Sequence, residues 1–159
     1  MLKKFLKEMN DTLTPNSWWE HSECGSNKEA SIDLKKIFSD DVFATPKPER
    51  LIQRILYIAT NPGDLVLDSF LGSGTTAAVA HKMGRRYIGI EMGEHAVTHC
   101  VPRLQKVVDG EQGGISQAVN WQGGGGFRFY KLGESIFDED GAIREQIPLA
   151  QLAAHVWFC

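Results

Sequence analysis

The chain has 159 residues, 42% of them hydrophobic, and a formal net charge of −3. That length suits one domain around one hydrophobic core, with an apolar fraction typical of a soluble globular protein. The negative charge excludes nucleic-acid binding driven by charge alone, and no stretch approaches the ~18 apolar residues of a membrane span.

The N-terminal run Met1-Leu2-Lys3-Lys4-Phe5-Leu6-Lys7 is charged and no apolar run follows it, so a cytoplasmic location is expected. Residues 1–40 are polar and weakly periodic and read as a loop-rich arm, marked only by Trp18-Trp19 and Cys24-Gly25-Ser26-Asn27. Within it Ile32, Leu34, Lys35, Ile37 and Phe38 suggest a short helix capped by Ser31. Beyond Thr45 the pattern sharpens. Pro48 suits a first helical turn, and Leu51, Ile52, Ile55, Leu56 and Ala59 recur on one helix face, which predicts a helix over 48–60. Asn61-Pro62-Gly63-Asp64 ends it and turns the chain into a strand over 65–69.

Gly72 and Gly74 then allow close backbone approach to a ligand, and Thr75 is expected to cap the next helix. Residues 75–83 are small and Ala-rich, suiting a helix laid against a sheet, and Gly84 stops it. Arg86-Tyr87-Ile88-Gly89-Ile90-Glu91 is the next strand. Two strands with a helix between them form the parallel βαβ unit, so the fold expected is α/β and Rossmann-like, a partial parallel sheet with flanking helices. A helix over 94–109 buries Val97, Val101, Leu104 and Val108, with a kink at Pro102. Gln112-Gly113-Gly114 and residues 123–126 punctuate a flexible stretch, and residues 127–132 alternate as a strand does. Residues 149–154 read as a helix that begins near Pro148, and the apolar His155-Val156-Trp157-Phe158-Cys159 suggests a truncated boundary.

The segment Asp68-Ser69-Phe70-Leu71-Gly72-Ser73-Gly74-Thr75 joins strand to helix. Gly72-Ser73-Gly74-Thr75-Thr76-Ala77 matches the dinucleotide pattern G-x-G-x-x-A, with Glu91 placed to hold a ribose, so an NAD-binding oxidoreductase competes here. A Walker phosphate loop is excluded, because no G-x-x-x-x-G-K run exists. A purely structural Gly-rich turn, or a non-catalytic nucleotide-binding module, is the plainer reading. Asp68 discriminates, since an acid inside the turn repels a pyrophosphate but attracts a cationic amine or sulfonium. That chemistry favours S-adenosylmethionine, whose ribose hydroxyls Glu91 can accept.

Phe43-Ala44-Thr45-Pro46-Lys47-Pro48-Glu49-Arg50-Leu51-Ile52, the Asp68–Thr76 segment and Tyr87-Ile88-Gly89-Ile90-Glu91-Met92 resemble, in this order, the β-class amino-methylating DNA methyltransferases. Trp121-Gln122-Gly123-Gly124-Gly125-Gly126-Phe127-Arg128-Phe129-Tyr130-Lys131-Leu132-Gly133 is similar to a downstream segment of modification subunits of Type III restriction-modification systems. The resemblance runs from about residue 20 to the C-terminus. It implies a class I S-adenosylmethionine-dependent methyltransferase fold, with residues 41–159 an incomplete cofactor-binding subdomain. Thr45, Lys47 and Pro48 would close one side of the pocket, and Phe70, Gly72, Gly74 and Thr75 would lie under the methionine moiety. Asp68 would meet the amine, Glu91 the ribose and Met92 the adenine. DNA is the implied substrate through adenine N6, and a restriction subunit the implied partner.

That family holds its flipped target base with Asp or Asn, two prolines and an aromatic. No such run exists here; Asn61-Pro62-Gly63-Asp64 and Thr14-Pro15-Asn16-Ser17 read as turns. No catalytic residue is therefore assigned. The expectation is the cofactor-binding C-terminal part of a modification methyltransferase, inactive alone and self-associating through an uncovered sheet edge. Cys24, Cys100 and Cys159 lack disulfide or zinc spacing and read as reduced thiols. His95 and His99 lie four apart but lack a third ligand, so no metal is expected. Trp18-Trp19 suit packing as well as base stacking, and Arg85 and Arg86 suit a solvated turn as well as phosphate.

Overall fold

The computed structural model describes residues 15–38 and 43–158; the charged N-terminal run, Thr14 and Cys159 lie outside the described residues. The chain forms two units, Met1–Phe127 and Arg128–Cys159.

In the first unit the segment read as a loop-rich arm carries two helices, α1 (His21–Cys24) and α2 (Asn27–Ile37). α2 starts earlier than its apolar pattern suggests because Ser26, not Ser31, is its cap. Ser26 accepts from the Glu29 amide while Glu29 accepts from the Ser26 amide, a reciprocal capping box. Ser31 instead donates its hydroxyl to the Asn27 carbonyl.

The predicted central elements form nearly as read: α3 (Glu49–Ala59), β1 (Leu65–Asp68), α4 (Thr75–Lys82) and β2 (Arg86–Gly89). β1 and β2 pair in parallel, with Leu65 opposite Arg86 and Asp68 opposite Gly89. This is an α/β unit with a small parallel sheet. Ala77, Ala78 and Ala80 are buried in α4, where small side chains permit close packing on the strands. The core gathers Leu56, Val79, Ala80 and Ile115, with Val66 and Tyr87 supplying one sheet face. Strand side chains alternate, so Leu65, Leu67 and Ile88 point the other way, and Leu67 is 63% exposed. One apolar face of the sheet is therefore uncovered by the described residues.

The helix expected over 94–109 with a kink at Pro102 divides between Cys100 and Val101. A π turn, Ala96–Cys100, runs into α5 (Val101–Val108), because a proline near the junction cannot donate back to the preceding turn. The stretch read as flexible after it is packed. Gly114 adopts φ +54° and carries Ile115 into the core, only 1% exposed. Trp121 Nε1 donates to the Val107 carbonyl at 2.7 Å, and the Gly124 amide to the Val108 carbonyl at 2.8 Å.

Residues 127–132 do not form the expected strand. Alternation marks a residue as suited to a sheet, but a strand exists only where a neighbour accepts its hydrogen bonds, and none does here among the described residues. The second unit holds an antiparallel bridge between Phe137 and Ile143 and the helix α6 (Leu149–Phe158), longer than the 149–154 expected. α6 is apolar but exposes Leu149, Val156, Trp157 and Phe158. No described helix is long and apolar enough to cross a membrane.

Candidate functional site

The carboxyl ends of β1 and β2 present two acids and a glycine turn side by side. Asp68 closes β1; its Oδ1 accepts from the Phe70 amide at 3.1 Å and so shapes the first bend of the turn. The Ile90 amide donates to the Asp68 carbonyl at 2.8 Å and the Leu71 amide to the Ile90 carbonyl at 3.0 Å, so the turn is sewn to the end of β2. Glu91 lies two residues beyond that strand. Its Oε2 accepts from the Gly72 amide at 2.8 Å and its Oε1 from the Gly93 amide at 2.9 Å. His95 Nε2 adds a third partner at 3.0 Å. The Gly93 and Gly72 amides, with His95, hold the Glu91 carboxyl below the usual carboxylate range.

Glycine is needed at both turn positions. Gly72 has φ +59°, and a Cβ there would stand 3.4 Å from the Phe43 ring. Gly74 has φ +81°, and a Cβ there would stand 3.3 Å from the Cys100 Cα. Gly74, not Thr75, occupies the N-cap of α4, and no side chain caps that end. The hydroxyl of Thr75 is committed elsewhere, accepting from Arg103 NH1 at 2.9 Å. Cys100 donates its thiol to the Gly72 carbonyl at 3.1 Å; burial, then the Glu91 and Asp68 carboxylates, push that thiol up to about 11.

Behind the turn lies an ionic cluster that the sequence reading missed. Glu49 is buried and accepts from Lys82 Nζ at 2.8 Å, Arg103 NH2 at 2.9 Å and the Ile115 amide at 3.0 Å. Lys82 also pairs with Glu111 and donates to the Gly113 carbonyl at 3.2 Å. Burial pushes the Glu49 carboxyl up, but the Arg103 and Lys82 charges outweigh it and hold the group below the ordinary value of 4.5. A signal was present: Glu49 shares the helix face of Ile52 and Leu56, and an acid on an apolar face requires a buried partner.

The segment before α3 packs by its prolines. Pro46 and Pro48 are buried while Thr45 and Lys47 are exposed. Gly25 abuts Pro48, and Arg50 donates to the Ser22 carbonyl and to Glu29, so α1 and α2 brace this segment from outside. Phe70 and Met92 are 89% and 100% exposed, so neither fills the core of the described structure.

The lesser candidates are accounted for locally. His95 pairs with Glu91, and both His95 and His99 pack edgewise on Phe43. Arg85 is committed to Thr60 and the Met83 carbonyl, whereas Arg86 is exposed. Trp19 lies under the Arg54 guanidinium and Trp18 is exposed. Cys24 and Cys100 are free thiols.

Comparison with known proteins places the chain in a family. The N6/N4 DNA methylase family model matches residues 2–101. The chain is 53% identical over 119 residues to the probable type III restriction-modification enzyme HindVI Mod subunit of Haemophilus influenzae, covering 74% of this chain and 15% of that protein. It is 36% identical over 105 residues to the Type II methyltransferase M.HinfI of Haemophilus influenzae, covering 65% of this chain and 28% of that protein. A crystal structure of M1.HpyAVI is 40% identical with a TM-score of 0.35, covering 36% of this chain and 32% of that one. The chain thus spans a small part of the length of these relatives. The match across more than half of its residues establishes that the chain belongs to the N6/N4 DNA methylase family.

Proposed function

We propose that the chain is the cofactor-holding part of a site-specific DNA methyltransferase of a Type III restriction-modification system, with a Rossmann-like S-adenosylmethionine fold. The carrying observation is the pair of carboxylates at the ends of adjacent parallel strands, Asp68 and Glu91, with Glu91 bonded to the Gly72 amide. Ligands of open α/β sheets bind at these carboxyl ends. The donor set fits the methyl donor and not a pyrophosphate, since both acids face a turn whose ligand must then carry positive charge or hydroxyl donors. Phe70 and Met92 add exposed apolar area beside them, which suits an adenine and a methionine chain better than water.

S-adenosylmethionine, when bound, supplies a methyl group on a sulfonium. Asp68 receives its amine, Glu91 its ribose hydroxyls and Met92 its adenine. Phe70, Gly72, Gly74 and Thr75 line the methionine moiety, and Thr45, Lys47 and Pro48 close one side. The substrate is an exocyclic amine of DNA, adenine N6 by kinship with the Mod subunit, and the wider assembly includes a restriction subunit in the cytoplasm. The residues that hold a flipped base are not in this sequence, so the chain alone binds the cofactor and does not turn it over.

Thermal unfolding with S-adenosylmethionine, S-adenosylhomocysteine and NAD tests the binding. The first two should stabilise the fold, by about 2.7 kcal/mol at a hundredfold excess over Kd, and NAD should not. Stabilisation by NAD alone would overturn the ligand assignment. Methyl transfer to duplex DNA should be undetectable, and turnover would overturn the inactivity. The uncovered face at Leu65, Leu67 and Ile88 and the edges of a two-stranded sheet should also drive self-association. Sedimentation velocity should show species larger than the 17.7 kDa monomer, and a single monomeric boundary would count against it.

A further inference from the structure

A turn with glycines at two of three successive positions has a large backbone entropy and does not hold one shape unaided. Besides the backbone bonds to the end of β2, three side chains restrain its glycine half. Glu91 takes the Gly72 amide and Cys100 the Gly72 carbonyl. The third is Arg103, whose NH1 donates to Thr75 Oγ1 at 2.9 Å and to the Ser73 carbonyl at 3.3 Å. NH2 of the same guanidinium donates to Glu49 Oε1 at 2.9 Å. Glu49 directly follows Pro48, so one planar fork joins the Thr45-Pro46-Lys47-Pro48 segment to the turn.

The orientation of that fork is costly. Arg103 is 4% exposed and its Nε has no partner among the described residues, so the bonds of NH1 and NH2 set how the group lies. Local backbone aims it: the π turn Ala96–Cys100 and Pro102 come immediately before Arg103, and together they put Cys100 under Gly74 and the guanidinium under Thr75. Bulges of this kind re-aim side chains where a regular helix would misplace them.

We infer that Arg103 is a positioning residue for the cofactor site, holding the glycine turn in its binding shape and locking it to the proline-rich wall through Glu49. It is buried behind the turn and acts through Thr75, Ser73 and Glu49. The inference rests on the cofactor reading above, and it deepens that reading by naming what prepares the pocket before binding. A preformed turn spares the ligand the entropy of ordering it, so loss of the fork should appear as lost affinity.

Arg103→Lys tests this, because an ammonium keeps the charge beside Glu49 but cannot bridge Glu49 and Thr75 in one plane. Lys82→Met is the control: it disrupts the same buried cluster without reaching the turn. Arg103→Lys should weaken S-adenosylmethionine binding by about tenfold, the worth of one hydrogen bond, while Lys82→Met lowers the melting temperature at least as much and leaves affinity within about twofold. Without ligand, the Gly72 and Gly74 amides should exchange with deuterium faster in Arg103→Lys and at the native rate in Lys82→Met. Affinity that merely follows melting temperature across the two variants, or equal exchange in both, would overturn the role. If the unaltered chain binds no S-adenosylmethionine, the ligand assignment fails and the exchange comparison still decides what Arg103 does.

Discussion

Glu49→Gln should lower the stability of the chain by about 3 kcal/mol, a fall in melting temperature of about 6–12 °C in a calorimetric scan. Glutamine nearly matches glutamate in volume, so the loss is electrostatic and not a cavity. The neutral amide strands the Lys82 ammonium and the Arg103 guanidinium in a site where their side chains are 0% and 5% exposed. Lys82 keeps Glu111, and Arg103 keeps Thr75 and Ser73, which places the effect at the lower end of the range for unpairing buried charge. The sign of the pH dependence follows from the carboxyl being lower in the folded chain than its ordinary 4.5. Its contribution is full above that value and is lost as pH falls through the depressed folded one. The wild-type and variant stabilities should therefore converge as the solution is acidified. A variant that melts with the wild type at neutral pH would remove the cluster from the account of stability.

Glu91→Ala should weaken S-adenosylmethionine binding more than a hundredfold, since two ribose hydroxyls donating to a carboxylate are worth about 1.5–3 kcal/mol each. The same change frees the Gly72 and Gly93 amides, so it loosens the turn as well as removing the acceptor. The two parts separate by measurement. Loss of the acceptor is specific to ligands that carry ribose hydroxyls, whereas turn loosening also raises deuterium exchange at Gly72 without any ligand. An affinity within a few fold of wild type, read by titration calorimetry, would remove Glu91 from the site.

The central unit was legible because its signals are local. The spacing of Leu51, Ile52, Ile55 and Leu56, the break at Asn61-Pro62-Gly63-Asp64 and the short apolar run at Leu65 each act within a few residues. The capping box Ser26-x-x-Glu29 is equally local, yet the helix was read as beginning at Ser31 because α2 carries its burial on only Ala30 and Leu34 and its first turn shows no apolar pattern. Residues 127–132 erred the other way. Their composition suits a strand, and composition cannot supply a partner.

The family was likewise written in the order of Thr45-Pro46-Lys47-Pro48, the Asp68–Thr75 segment and Ile90-Glu91-Met92, and the comparisons bear it out. Local order also places a glycine turn between two acids at strand ends, since Gly72, Gly74, Asp68 and Glu91 sit at fixed offsets from their strands. What holds that turn depends on packing between distant segments. Glu49 and Arg103 are 54 residues apart, and Cys100 stands 28 from Gly72. No periodicity links residues at such separations, because their meeting depends on how α3, α4 and α5 pack, and on the π turn before Pro102 that aims Arg103 inward.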